Sequence, residues 1–156
     1  MAQHMQQQIL AAWRVDLVLA ATLAGDKVRI EGRNAYPVSA LPAIDISAAD
    51  EGIEPLSGGR GGLATLHREF LVDVTSIATG DQAREQAMEL HAQIEERMGP
   101  AADGVLHGLL IAPPRLRGIR GQWDDAATQP IYIVRGMWLC RYLTAEGAPR
   151  GPASHP

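Results

Sequence analysis

Apolar residues at Ile9, Trp13, Leu17, Ala20 and Ala24 recur every three to four positions, with glutamines and Arg14 between them. That spacing predicts an amphipathic helix over residues 6–24, ended by Gly25 and Asp26. KVRIE (27–31) reads as a short strand closed by Gly32 and Asn34. Pro37 and Pro42 hold the next stretch extended and out of helix. From Leu41 the period changes to two, Ile44 and Ile46 alternating with Asp45 and Ser47. The alternation returns in LATLHREFLVDVTSIA (63–78), where Leu66, Phe70, Val72 and Val74 share one parity and His67, Glu69, Asp73 and Thr75 the other. Two such runs flanking a glycine-rich stretch predict a β-hairpin over residues 41–78 with a long mobile tip.

Thr79-Gly-Asp-Gln82 has the spacing of a capping box, and Ala83, Ala87, Leu90, Ile94 and Met98 then form an apolar stripe that Gly99-Pro100 stops. A second helix is expected there. Residues 105–111 fit either a short strand or a helical turn, while RLRGIRGQ (115–122) reads as a strand carrying exposed arginines. After a turn at Asp124–Pro130, IYIVRGMWLCRYL (131–143) reads as a long strand. Residues 146–156, rich in Gly, Pro and Ala, are expected to form a flexible C-terminal tail behind a single domain over residues 1–145. The fold class this order implies is α+β: a mixed, mainly antiparallel four- to five-stranded sheet with two main helices packed on one face.

The last strand is apolar on both parities. Tyr132, Val134, Trp138, Cys140 and Tyr142 lie on one; Ile131, Ile133, Met137, Leu139 and Leu143 lie on the other, with Arg135 and Arg141 among them. Two helices cover one face only, so the second face needs another subunit, or else the segment 105–120 folded back over it. Glu69 and Asp73 are placed to pair with Arg135 and Arg141, across strands or across a subunit boundary. Arg115, Arg117 and Arg120 form a separate basic edge, solvated or facing a polyanion.

At 156 residues the chain fits one domain that needs no staples to fold. A net charge of −4 argues against holding nucleic acid by bulk electrostatics. The single cysteine, Cys140, forbids an internal disulfide and any multi-cysteine metal site. Near the N-terminus the apolar run lacks a basic flank and is broken by Arg14 and Asp16, so a soluble, unexported protein with no membrane association is expected.

Candidate chemistry is sparse. Gly58, Gly59, Arg60 and Gly61 lead into a strand with no Lys-Ser or Lys-Thr after them, so the loop is not a P-loop. One GGRGG without interleaved aromatics does not make a single-strand nucleic-acid platform either. His91 stands four residues before Glu95 as a surface pair, and no histidine has a second ligand at metal spacing. Cys140 reads as a buried, inert thiol, and Asp124-Asp125 as turn formers. No catalytic constellation, cofactor or metal is expected.

YPVSALPAIDISAADEGIEPLS, REFLVDVTSIA, DQAREQAMELHAQIEERM and IYIVRGMWLCRYLTA, taken in that order after the N-terminal helix, resemble the tail terminator (tail completion, minor tail protein U-like) family of long-tailed bacteriophages. The resemblance covers about residues 6–145 and departs from the commoner pattern in its longer glycine loop and in Pro113-Pro114. It implies a virion protein of the tail or neck, assembled in the host cytoplasm, with its own copies as partners in a ring of typically six. That ring would cap the tail tube protein at its head-proximal end and present a surface to neck and connector proteins, DNA passing transiently through the lumen. On this resemblance the 51–62 loop, with Arg60 as a charged anchor, becomes ordered against the tube or a neck protein. The candidate assembly residues are Gly58, Gly59, Arg60, Gly61, Glu69, Asp73, Arg115, Arg117, Arg135 and Arg141. A head–tail connector or stopper, and a small α+β ligand-binding domain or enzyme, are the alternative readings.

Overall fold

The computed structural model of the chain describes residues 3–32, 34–57, 64–99, 106, 108–125 and 128–152. Helix α1 (Met5–Leu19) leads to a short strand β1 (Val28–Ile30), and the hairpin of β2 (Ala43–Ser57) and β3 (Thr65–Thr79) follows. Helix α2 (Ala83–Met98) then precedes β4 (Arg115–Asp124), β5 (Ile131–Ala145) and β6 (Ala148–Pro152). The strands form one sheet in the order β1-β2-β3-β5-β4, with β6 also pairing β5. Only the β1/β2 pair is parallel, so the sheet is mixed and mainly antiparallel, as the element order implies. Among the described residues it has six strands rather than four or five.

Both helices lie on one face. Trp13 of α1 meets Trp138 of β5 edge-on at 5.6 Å, and Phe70 meets Tyr142 in the same way at 5.9 Å. Ile44, Ile46, Val72, Val74 and Cys140 complete this layer from the sheet, and Ile9, Leu17, Leu90 and Ile94 from the helices; all of these are buried. The β3/β5 register sets Phe70 opposite Cys140, Val72 opposite Trp138 and Val74 opposite Gly136, which keeps one parity of both strands inward along their whole length.

Several local expectations change. Helix α1 stops at Leu19, because Ala21 takes a left-handed conformation (φ 51°) that turns the chain back toward β1. A 3₁₀ turn at Val38–Ala40 stands between the two prolines expected to keep that stretch extended. The capping box does not form: Gln82 is the N-cap without a side-chain bond, and the Thr79 hydroxyl donates instead to the Pro130 carbonyl at 2.8 Å. Residues 51–57, read as loop, continue β2, and residues 58–63 of the expected hairpin tip lie outside the described residues. Part of the expected tail, Ala148–Pro152, is strand. It orders by pairing with β5 through the Glu146-Gly147 turn, Gly147 supplying φ 76°. His91, read as a surface residue, is buried on the underside of α2.

That last placement is tight. A Cβ on Gly136 would lie 2.8 Å from His91 Cε1 and 3.2 Å from Trp138 Nε1. The glycine therefore sets how closely α2 approaches β5. Gly136→Ala is expected to destabilise the fold by about 1–3 kcal/mol through overpacking. In a His91→Ala background the same change should cost much less, and a urea-denaturation double-mutant cycle reads the difference.

Candidate assembly interface

The strands outrun the helices. Strands β3 and β5, 15 residues each, span roughly 50 Å at ~3.3 Å per residue. Helix α2, with 16 residues, spans about 24 Å. Two bare regions result: the helix-free face of the sheet, and a β2–β3 arm that continues past the helix layer, where Ile53, Glu54 and Pro55 are exposed.

On the helix-free face Glu69 lies opposite Arg141, and Asp73 lies opposite Met137. Arg141 Nε reaches Glu69 Oε2 at 3.3 Å, and Arg135 crosses diagonally from its place opposite Thr75 to bond Asp73. Both pairs are therefore closed across strands within one chain. The Glu69–Arg141 pair is 44% and 39% exposed, so it fixes register more than it stabilises. Asp73 is buried, and its Oδ1 has no hydrogen-bond partner. Leu71, Ile77, Ile131, Ile133, Met137 and Leu139 share this face and are only half-buried, whereas Leu143, expected in the same row, is buried. The described residues of the segment considered as a cover do not lie across this face: Ala112 and Pro113 reach only its end, beside Leu139 and Arg141. Leu106 and Leu110 join the core on the helix side, and Ile111 N–H bonds the Arg141 carbonyl at 3.0 Å, filling the edge of β5 beyond β4.

Arg115, Arg117 and Arg120 stand exposed along β4. Arg117 is the extra residue of a bulge between Leu116 and Gly118, and Arg120 lies directly opposite Arg135. Those two arginines, with Thr75, Gln122 and Ile133, line a cleft of about 230 Å³. Its chemistry suits a carboxylate or another anion and holds neither nucleophile nor base. Gly58, Gly59, Arg60 and Gly61 lie outside the described residues.

One cluster has no counterpart in the sequence reading. Strand β2 carries a bulge between Ala48 and Glu51, opposite the Val72–Phe70 step of β3. The inserted residue turns Glu51 to the helix side of the sheet. There it accepts from Arg68 Nη1 at 2.8 Å and from the Tyr142 hydroxyl at 2.8 and 2.9 Å, with Gln6 Nε2 at 3.2 Å. Arg68 Nε also donates to Thr144 Oγ1 at 2.7 Å. Burial, then the neighbouring Glu51 carboxylate, push the Tyr142 hydroxyl well above its ordinary range, so it stays a donor. This cluster pins the arm to the N-terminal turn of α1. A lone Glu in an acidic stretch carries no pattern that reveals it.

Cys140 is fully buried, and burial pushes its thiol up to about 12, which makes it inert as expected. His91 Nε2 stands 2.8 Å from Glu95 Oε1, yet neither ring nitrogen has a hydrogen-bond partner, so the approach is close without being an aligned bond. Among the described residues no group of three or more His, Cys, Asp and Glu side chains is placed to hold a metal ion. No described helix is long and apolar enough to cross a membrane.

Neither a protein-family model nor a curated protein sequence matches the chain. Its fold is similar to that of a solved chain described as belonging to the virion of native gene transfer agent (GTA) particle. The TM-score is 0.52 and the identity 19%, over 90% of this chain and 96% of that one. At that identity the likeness is one of fold.

The two kinds of ion pair separate in energy. Arg68→Met leaves Glu51 largely buried and without its charge partner, and is expected to cost about 3–5 kcal/mol. Arg141→Met on the helix-free face is expected to cost about 1 kcal/mol or less. Urea unfolding of the two variants checks the contrast.

Proposed function

We propose that this chain is a structural protein of a phage-like virion. Copies of it form a ring, of about six by the family resemblance, on the head-proximal end of the tail tube. The ring stops tube growth and offers the surface that joins the head. The observation that carries this reading is the six-stranded sheet whose apolar second face has no described helix over it, in a chain whose fold is similar to a virion component. A heterologous contact that closes on itself cannot extend along that contact. Capping then needs only an upper surface unlike the tube's own end. Half-buried apolar rows crossed by arginine–carboxylate pairs suit a docking face that must stay soluble before assembly. The arm beyond Gly52, with its glycine-rich tip, is the element that reaches the tube or the neck. Catalysis and cofactors have no part in this mechanism, which is geometric.

Particle assembly without the protein tests it. Tubes should grow beyond their normal length, and adding the protein back should restore uniform length. Tubes of normal length that merely fail to join heads would contradict the terminator role and identify a connector.

A further inference from the structure

We propose that the cleft between Arg120 and Arg135 on the helix-free face is a site for one carboxylate, presented by the protein that covers this face in the particle. The proposal rests on the reading of this face as a docking face and names the chemistry that docks there. Thr75, Arg135 and Arg120 stand side by side on β3, β5 and β4, since Thr75 lies opposite Arg135 and Arg135 opposite Arg120. The next pair on the same parity, Gln122 and Ile133, completes the lining of the cleft, whose volume is about 230 Å³.

Guanidinium groups directly opposite each other on neighbouring strands repel. Asp73 offsets one of them, bonding Arg135 through Nη2 and leaving the other N–H groups of that fork uncommitted. Among the described residues nothing forms a hydrogen bond or ion pair with the Arg120 side chain, nor with those of Gln122 and Thr75. Asp45, opposite Thr75 on the far side, is held by Arg29 and the Gly32 N–H. Asp124 shares the parity but lies beyond Gln122, opposite Ile131. The cleft is therefore rich in donors, and one guanidinium in it is uncompensated.

Those donors fix the class of ligand. A carboxylate offers two oxygens with about four lone-pair sites, which two guanidinium forks, a threonine hydroxyl and a glutamine amide can satisfy together. A nucleic-acid backbone is a poor match, because its phosphates call for a run of free cations. Here Asp45, Glu69 and Asp73 share the same face on the adjoining strands, and the chain carries −4 overall. Half-buried Ile131, Ile133 and Met137 beside the cleft favour a carboxylate borne on an apolar protein surface. Such a site sets register. Apolar rows slide past one another at little cost, whereas one carboxylate between two arginines fits at a single position.

Sodium acetate probes the site on the free protein, with dimethyl phosphate, of equal charge, as the comparison. Each is titrated against chloride at constant ionic strength while NMR follows the arginine Nε–H groups. Acetate should shift the Arg120 and Arg135 signals saturably and leave that of Arg117, on the bulge, in place. Arg120→Glu supplies a carboxylate internally, so it should abolish the Arg135 shift and leave the fold at least as stable to urea. Equal, unsaturated shifts of every exposed arginine, or tighter binding of dimethyl phosphate, would overturn the proposal. Particle assembly tests the partner: Arg120→Glu should be lost from purified particles that incorporate the wild type, and its incorporation at the wild-type level would overturn the docking role. Sedimentation of the free protein locates the carboxylate. Self-association that acetate abolishes places it on a second copy, and monomers throughout place it on another virion protein. A wild-type chain missing from particles would remove the virion reading while the acetate result stands.

Discussion

Two helices cannot cover a sheet of this size, and most of the molecule follows from that shortfall. Each helix is about half as long as β3 or β5, and both sit on the same face. The inward parity is saturated with Trp13, Trp138, Phe70, Tyr142 and the branched aliphatics between them, so the subunit has a conventional core on that side. The outward parity of β5 keeps Ile131, Ile133, Met137 and Leu139 partly in solvent. A sheet buried on one face normally alternates apolar with polar residues. Here it does not, and the excess apolar surface is what an assembly contact would use.

The arm is held by a different kind of interaction. Past the helix layer the β2–β3 hairpin has little to pack against, and a bulge re-aims Glu51 toward Arg68 and Tyr142 at the point of departure. Ion pairs that lose most of their water contribute little net stability when intact, yet are costly to break, so they fix geometry. A corner fixed in this way points the arm in one direction.

Much of the fold was legible in the sequence because its strong signals are periodic. Alternation in 66–74 and the stripe Ala83–Met98 specify β3 and α2 to within two residues, and the double parity of 131–143 correctly marked β5 as a strand with two apolar sides. Local chemistry read less well, since tertiary pairing overrides it. Glu51–Ser57 looks like loop, yet pairs with β3, and Ala148–Pro152 has tail composition yet pairs with β5. The arginine–carboxylate pairs on the outer face followed from parity and sequence order. The Glu51–Arg68–Tyr142 cluster did not, because it depends on one inserted residue in β2 that no pattern announces.

The central claim is that the helix-free face is bare in the subunit and covered in the particle. Met137, half-buried in the middle of that face, reports on it directly. Hydroxyl-radical footprinting with mass spectrometry compares its oxidation in the free subunit and in assembled tails. The account predicts strong protection of Met137 on assembly; equal oxidation in both states would contradict it.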